Sequence, residues 1–261
     1  MPNQAALNFR SLGPDRTLEQ KFYAAAAAGF AAVGLDQADI DRPDERARQE
    51  LRLSDLAIAE LEGISGWMQS GSTARSLALV QAEHIFASAA DIGASLVLAW
   101  PADQPIERLA ASTYFADVCR VAEPFGVRVG LEFLGHSSVV QDLASAWRIV
   151  EGAEMGNGGL VIDTFHFHRG GSTVEMIESI PGEKIFLVQV SDAPDLPLHE
   201  LENRHRLYPG TGAIPLESIL AAVRAKDYNG YYSLELQNEE CWKEDPVIVA
   251  AEGFRSMRRL D

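Results

Sequence analysis

Cysteine is scarce in this chain. Cys119 and Cys241 are the only two in 261 residues, and they stand in no metal-like spacing, which argues against a disulfide framework and for a reducing compartment. Basic residues are few as well: Lys and Arg number 22 against 38 Asp and Glu, a formal net charge of -16. Such a surface repels phosphate backbones and anionic membranes, so the expectation is no nucleic-acid and no membrane partner. No apolar run is long enough to span a bilayer, and the opening Met-Pro-Asn-Gln-Ala has neither the basic nor the apolar region of a signal peptide. The reading is a soluble, cytoplasmic protein. Also missing are Pro/Gly/Ser linkers, low-complexity tracts and a dinucleotide fingerprint after the first strand. With 47% hydrophobic residues, one domain spanning 1–261 is the expectation.

What is present is a regular alternation of strand and helix signals, repeating at the period of a βα unit. Strands are expected at Ala5–Leu12, Ala31–Leu35, Leu56–Leu61, Ser95–Ala99, Val127–Glu132, the stretch ending at Asp163, Ile185–Gln189 and Tyr231–Glu235. Helices are expected at Thr17–Gly29, Pro43–Leu51, Thr73–Gly93, Ile106–Ala122, Leu143–Glu151, a short one after Ser172, one beginning at Pro215, and Pro246–Arg259. Ala193 to Gly212 reads as a long connection. Eight strands, each followed by a helix, favour an α/β fold of the closed (β/α)8 TIM barrel type over a doubly wound open sheet.

Several strands end on an oxygen-bearing side chain. An ionised acid beside a dry core costs several kcal/mol unless a cation or donors meet it. With period two, Asp163 shares a face with Val161, Gln189 with Leu187, and Glu235 with Ser233. In a barrel, Glu132, Asp163, Gln189 and Glu235 would then surround one point at the C-terminal ends of strands five to eight. Three carboxylates so placed need raised pKa values or a bound cation. Carboxylates and an amide carbonyl are hard donors, which favours Mn2+ or Mg2+, with Co2+ or Zn2+ as alternatives.

The segments Gly126–His136 (GVRVGLEFLGH), Leu160–His168 (LVIDTFHFH), Glu183–Asp192 (EKIFLVQVSD), Arg206–Ile214 (RLYPGTGAI) and Ser233–Glu235 (SLE) together resemble the xylose isomerase-like TIM barrels. That superfamily holds sugar isomerases and epimerases, inosose isomerases, endonuclease IV and 3-dehydroshikimate dehydratases. The resemblance implies metal ligands at Glu132, Asp163, Gln189 and Glu235. Gln at position 189 and the run PGEKIF from Pro181 look like the dehydratases, whereas LEFLGH from Leu131 and FHFH from Phe165 look like the inosose isomerases. It also implies substrate contacts from His166 and Arg206. His168, His136 and Asp192 are candidates for supporting hydrogen bonds around the ligands, or for turn caps. Glu62, Trp67 and Trp100 end strands three and four and are substrate-binding candidates, the two indoles also being candidates for core packing.

The expected function is a divalent-metal-dependent isomerase or epimerase of a sugar, an inosose or another small polyhydroxy ketone, working through proton abstraction beside a carbonyl and an enediolate. Glu132 and Glu235 would exchange the proton, with His166 and Arg206 on substrate oxygens. The alternative is a dehydratase on the same apparatus, set behind because Ala59–Trp67 offers two acids and no Arg to meet a substrate carboxylate. An endonuclease IV-like repair enzyme is disfavoured by the acidic surface. A barrel that binds sugar without catalysis is the remaining reading, and an oligomer is compatible with all of them.

Overall fold

The structure is a computed structural model that describes residues 4–40, 55–102 and 106–260. Eight parallel strands close into a barrel in sequence order: β1 Ala5–Asn8, β2 Ala32–Asp36, β3 Ala57–Ile64, β4 Leu96–Ala99, β5 Arg128–Glu132, β6 Gly158–Asp163, β7 Ile185–Val190 and β8 Tyr232–Leu234. β8 pairs back onto β1 through Ser233 opposite Ala6, which removes every sheet edge. The helix expected at Pro43–Leu51 lies outside the described residues.

Two apolar layers result from the alternation along each strand. Inward positions such as Ala6, Ala32, Leu96, Leu98, Val161 and Leu187 form a small cluster inside the barrel. The intervening positions, among them Leu7, Val33, Val97, Leu131, Ile162, Val188 and Leu234, belong to the larger core between sheet and helices. Asn8, Asp163 and Gln189 are two residues beyond Ala6, Val161 and Leu187, so strand period sends them inward, above the apolar plug. The sheet thus carries its polar residues to one end.

Helix signals in the sequence act as local physics requires. Thr17 and Gln20 make reciprocal capping bonds at the start of α1, Leu18–Ala28, and Gly29 closes it in the left-handed region at φ 95°. The capping box of Asp142 with Ser145 starts Leu143–Ala153, and Asp245 caps Pro246–Arg258 with Pro246 in the first turn. No helix among the described residues is long and apolar enough to cross a membrane.

Three boundaries differ from expectation, each at the polar end. β1 stops at Asn8 because the Asn8 side chain accepts the Arg10 N–H at 3.0 Å and turns the chain into a 3-10 helix, Phe9–Leu12. β3 runs on to Ile64. β6 is followed at once by a short helix, Thr164–Arg169, which Asp163 caps by accepting the N–H groups of Phe165 at 2.7 Å and His166 at 3.2 Å.

Candidate active site

At the C-terminal end of the barrel, Glu132, Asp163, Gln189 and Glu235 are all at most 4% exposed. Asp163 lies opposite Gln189 in the β6–β7 register, and Gln189 lies opposite Ser233 in the β7–β8 register. Glu132 accepts a 2.7 Å hydrogen bond from Trp100 Nε1 at Oε2, while His166 Nε2 stands 3.9 Å from its Oε1. Burial, then Glu235 and Asp163, push the Glu132 carboxyl well above the usual carboxylate range.

Arg206 supplies the counter-charge beneath these acids. It is wholly buried, donates to Asp163 Oδ2 at 2.7 Å and Ser191 Oγ at 3.0 Å, and stands 3.6 Å from Glu235 Oε2. Burial pulls its pKa down, but Asp163 and Glu235 more than offset that and hold it above the ordinary value. Its guanidinium also covers the Phe165 ring at 4.6 Å. Arg206 comes from the long connection after β7, and Asp192 secures that connection by accepting the N–H groups of Gly210, Gly212 and Ile214 at 2.8 to 3.0 Å. Asp192 thus supports the site through the loop, by backbone bonds.

His166 is buried and accepts the Gly135 N–H at Nδ1, 3.3 Å away. Burial, and then Arg206, pull its pKa well below the ordinary value, so it is neutral, and the Gly135 contact places the remaining proton on Nε2. That Nε2–H lies 3.9 Å from Glu132 Oε1, beyond hydrogen-bond distance. Glu132, Asp163 and His166 offer ligand atoms within 4.8 Å of one another, yet a His166 that donates from Nε2 has no lone pair there for a cation. The geometry therefore suits His166 as a donor to an oxygen. His136 is exposed, with its ring 5.8 Å from that of His166, and His168 is half-buried one helical step away.

Trp67 is a correction to the stacking role. Its ring is completely covered in the outer core, tilted against Phe115 at 5.7 Å. Trp100 is only partly buried, and its indole N–H holds Glu132.

Sequence reasoning missed Asn8, Arg10 and Glu60 at this end. Glu60 on β3 is fully buried and accepts from Asn8 Nδ2 at 3.1 Å, Ser233 Oγ at 2.6 Å and Gln189 Nε2 at 3.2 Å. Burial outweighs these donors and carries its pKa up to about 8. Glu62, which the sequence singled out, takes a second proton of the same Asn8 amide and pairs with Arg10 Nε at 2.7 Å. Burial, then Glu235, raise its pKa well above the usual range. Arg10 also pairs with Asp36 at 2.8 Å and lies over the Trp100 ring at 5.1 Å. A period-two reading of Ala5–Leu12 puts Asn8 and Arg10 on one face, and the same reading pairs Glu60 with Glu62; those were the available signals.

A family model described as "Xylose isomerase-like TIM barrel" matches residues 22–260. The chain belongs to that family. Within it, the inosose isomerase of Bacillus subtilis (strain 168) is 39% identical over 140 residues, covering 53% of this chain and 49% of that protein. The 3-dehydroshikimate dehydratase of Pseudomonas aeruginosa (strain PAO1) is 34% identical over 254 residues, 94% of this chain but 40% of that protein. The chain thus spans about half the length of the curated isomerase it matches. Among solved structures, the IOLI protein with a binding zinc atom superimposes with a TM-score of 0.92 at 22% identity, covering 98% of this chain and 97% of that one. A xylose isomerase-like TIM barrel/4-hydroxyphenylpyruvate dioxygenase fusion protein superimposes with a TM-score of 0.90 at 28% identity, covering 98% of this chain and 42% of that one.

Proposed function

We propose that this family member is a divalent-metal-dependent isomerase or epimerase acting on an uncharged polyhydroxy ketone. The supporting observation is the set of buried oxygens at the barrel end. Gln189 Oε1 is buried with no hydrogen-bond partner, a costly state for a polar atom that a cation would relieve; Glu235 Oε2 also makes no hydrogen bond, and its charge faces Arg206 at 3.6 Å. Asp163 accepts three hydrogen bonds and keeps lone-pair capacity for a fourth contact. Glu132 and Asp163 offer oxygens within 4.8 Å of each other, and with Gln189 and Glu235 they would form the oxygen set that holds a hard divalent ion; the ion in the IOLI structure is zinc, and an oxygen-rich set suits Mn2+ or Mg2+.

Bound there, such an ion would supply Lewis acidity toward a carbonyl and its neighbouring hydroxyl. The chain's own groups then move the proton. Glu132 removes it from the carbon beside the carbonyl, its other oxygen being steadied by Trp100 Nε1–H. Glu235, three strands further round and held by Gln237 Nε2 at 2.7 Å, delivers a proton on the return step. His166 Nε2–H donates to a substrate oxygen as negative charge grows on it.

Charge at the barrel end argues for a neutral substrate. Arg10 is paired by Asp36 and Glu62, and Arg206 by Asp163 and Glu235, so each guanidinium already faces two carboxylates. A substrate carboxylate would meet no free cation among these groups. The second reading, a dehydratase, draws on Gln189 and on the length of the match to the dehydratase. The test is incubation in D2O with a panel of ketoses, inososes and dehydroshikimate plus Mn2+. Deuterium at the carbon next to the carbonyl, with product mass otherwise unchanged and exchange abolished by Glu132→Gln, is the expected result. A product lighter by one water establishes the lyase instead, and full turnover by Glu132→Gln overturns the proton assignment.

A further inference from the structure

Glu60 has no part in the chemistry above, yet the barrel is built around it. Asn8 of β1, Ser233 of β8 and Gln189 of β7 all donate to it, and a methyl group at Gly34 of β2 would run into its carboxylate. Four other strands thus supply either a donor or the space for one buried side chain on β3. A buried acid used only as filler has no need of such a seat.

The consequence falls on Gln189. A carboxamide is nearly symmetric in shape, and its two ends differ only in what they can bond: NH2 donates and oxygen accepts. Presented to a cation, the oxygen attracts and the NH2 repels. Gln189 Nε2 is engaged by Glu60 Oε2 at 3.2 Å, while Gln189 Oε1 is buried without a partner. An acceptor at the position of Glu60 therefore selects one of the two amide orientations.

We propose that Glu60 is a positioning residue that turns the Gln189 amide so that its oxygen is offered to the cation. This rests on the cation site proposed above. Glu60 and Gln189 then act as one unit, a ligand and the group that orients it.

The test titrates metal-stripped protein with Co2+, read by calorimetry and by the visible absorption of the bound ion, in wild type, Glu60→Leu, Gln189→Ala and the double variant. Glu60→Met serves in place of Glu60→Leu should the latter not fold, as judged by circular dichroism. Loss of Glu60 is expected to weaken Co2+ binding by about 10-fold or more and to alter the absorption. The double variant is expected to bind as Gln189→Ala does, because nothing remains for Glu60 to orient. If the Glu60 variant binds Co2+ like wild type with the same spectrum, or if the two losses multiply in the double variant, Glu60 does not act through Gln189 and the inference is wrong while the cation site stands. If wild type takes up neither Co2+ nor Mn2+, the cation site and this inference fall together.

Discussion

Trp100 shows how much can hang on one hydrogen bond. Its indole N–H is the only donor recorded for Glu132 among the described residues, at 2.7 Å, and it leaves the other carboxylate oxygen toward His166. Trp100→Phe keeps the ring over which Arg10 lies and removes the N–H. Solvent exchange into substrate should fall by roughly 10-fold or more, with little change in substrate affinity, since the loss concerns orientation of the base. Steady-state kinetics on the substrate found by the panel would check this. Arg206 carries a different burden. Arg206→Met leaves Asp163 and Glu235 buried beside each other without their counter-charge, so the unfolding free energy should drop by about 3–5 kcal/mol, measured by urea denaturation of the metal-free protein. An unchanged midpoint would mean that the two acids are neutralised by another route.

At the level of elements, the strands and most helices were legible because period-two alternation, caps and glycine stops are local signals. Leu143, Thr17, Gly29 and Pro246 stand where chain chemistry alone places them. The ends of β1 and β6 were less legible. Asn8 and Asp163 stop their strands by bonding the backbone two or three residues on, a competition between side chain and sheet that hydrophobic pattern does not register. The acids that end β5 and β6 and the one that follows β8 could be read from spacing, and so could Gln189. For Glu60 spacing gave only its pairing with Glu62 and no role: its meaning comes from Asn8, Ser233 and Gln189, which are 52, 173 and 129 residues away in sequence. Arg10 escaped notice for the same reason, since its partners lie on β2 and β3. The connection after β7 gives a prediction of its own. Asp192→Ala removes the acceptor for Gly210, Gly212 and Ile214, so hydrogen exchange of those amides should accelerate while that of β6 and β7 is unchanged. Retained protection at residues 210–214 would show that the loop is held elsewhere.

For the whole molecule, a barrel with buried acids at one end has a stability that depends on pH. Glu60 has its pKa raised by burial to about 8 in the folded chain, against an ordinary value of 4.5. Between those values the folded state binds more protons than the unfolded one, so the contribution of Glu60 is fully present below about pH 4.5 and is lost as pH climbs through about 8. The directions at Glu62 and Glu132 act the same way. Metal-free protein should therefore melt at progressively lower temperature from pH 5 to pH 8, and Glu60→Gln should flatten that slope. Scanning calorimetry across this range checks it; a melting temperature that rises with pH would refute the proton-holding acids. Added Mn2+ should oppose the decline, because an ion that binds only the folded form stabilises it in proportion to its occupancy.

Arg206 reaches the barrel end on a connection rather than a strand, and Glu235 directly follows the last strand to be made. A ribosome that has released β1 through β7 has therefore produced most of the cylinder but none of the balancing cation for Asp163. Until residue 206 emerges and folds back, Asp163 on the nascent barrel stands without its guanidinium partner.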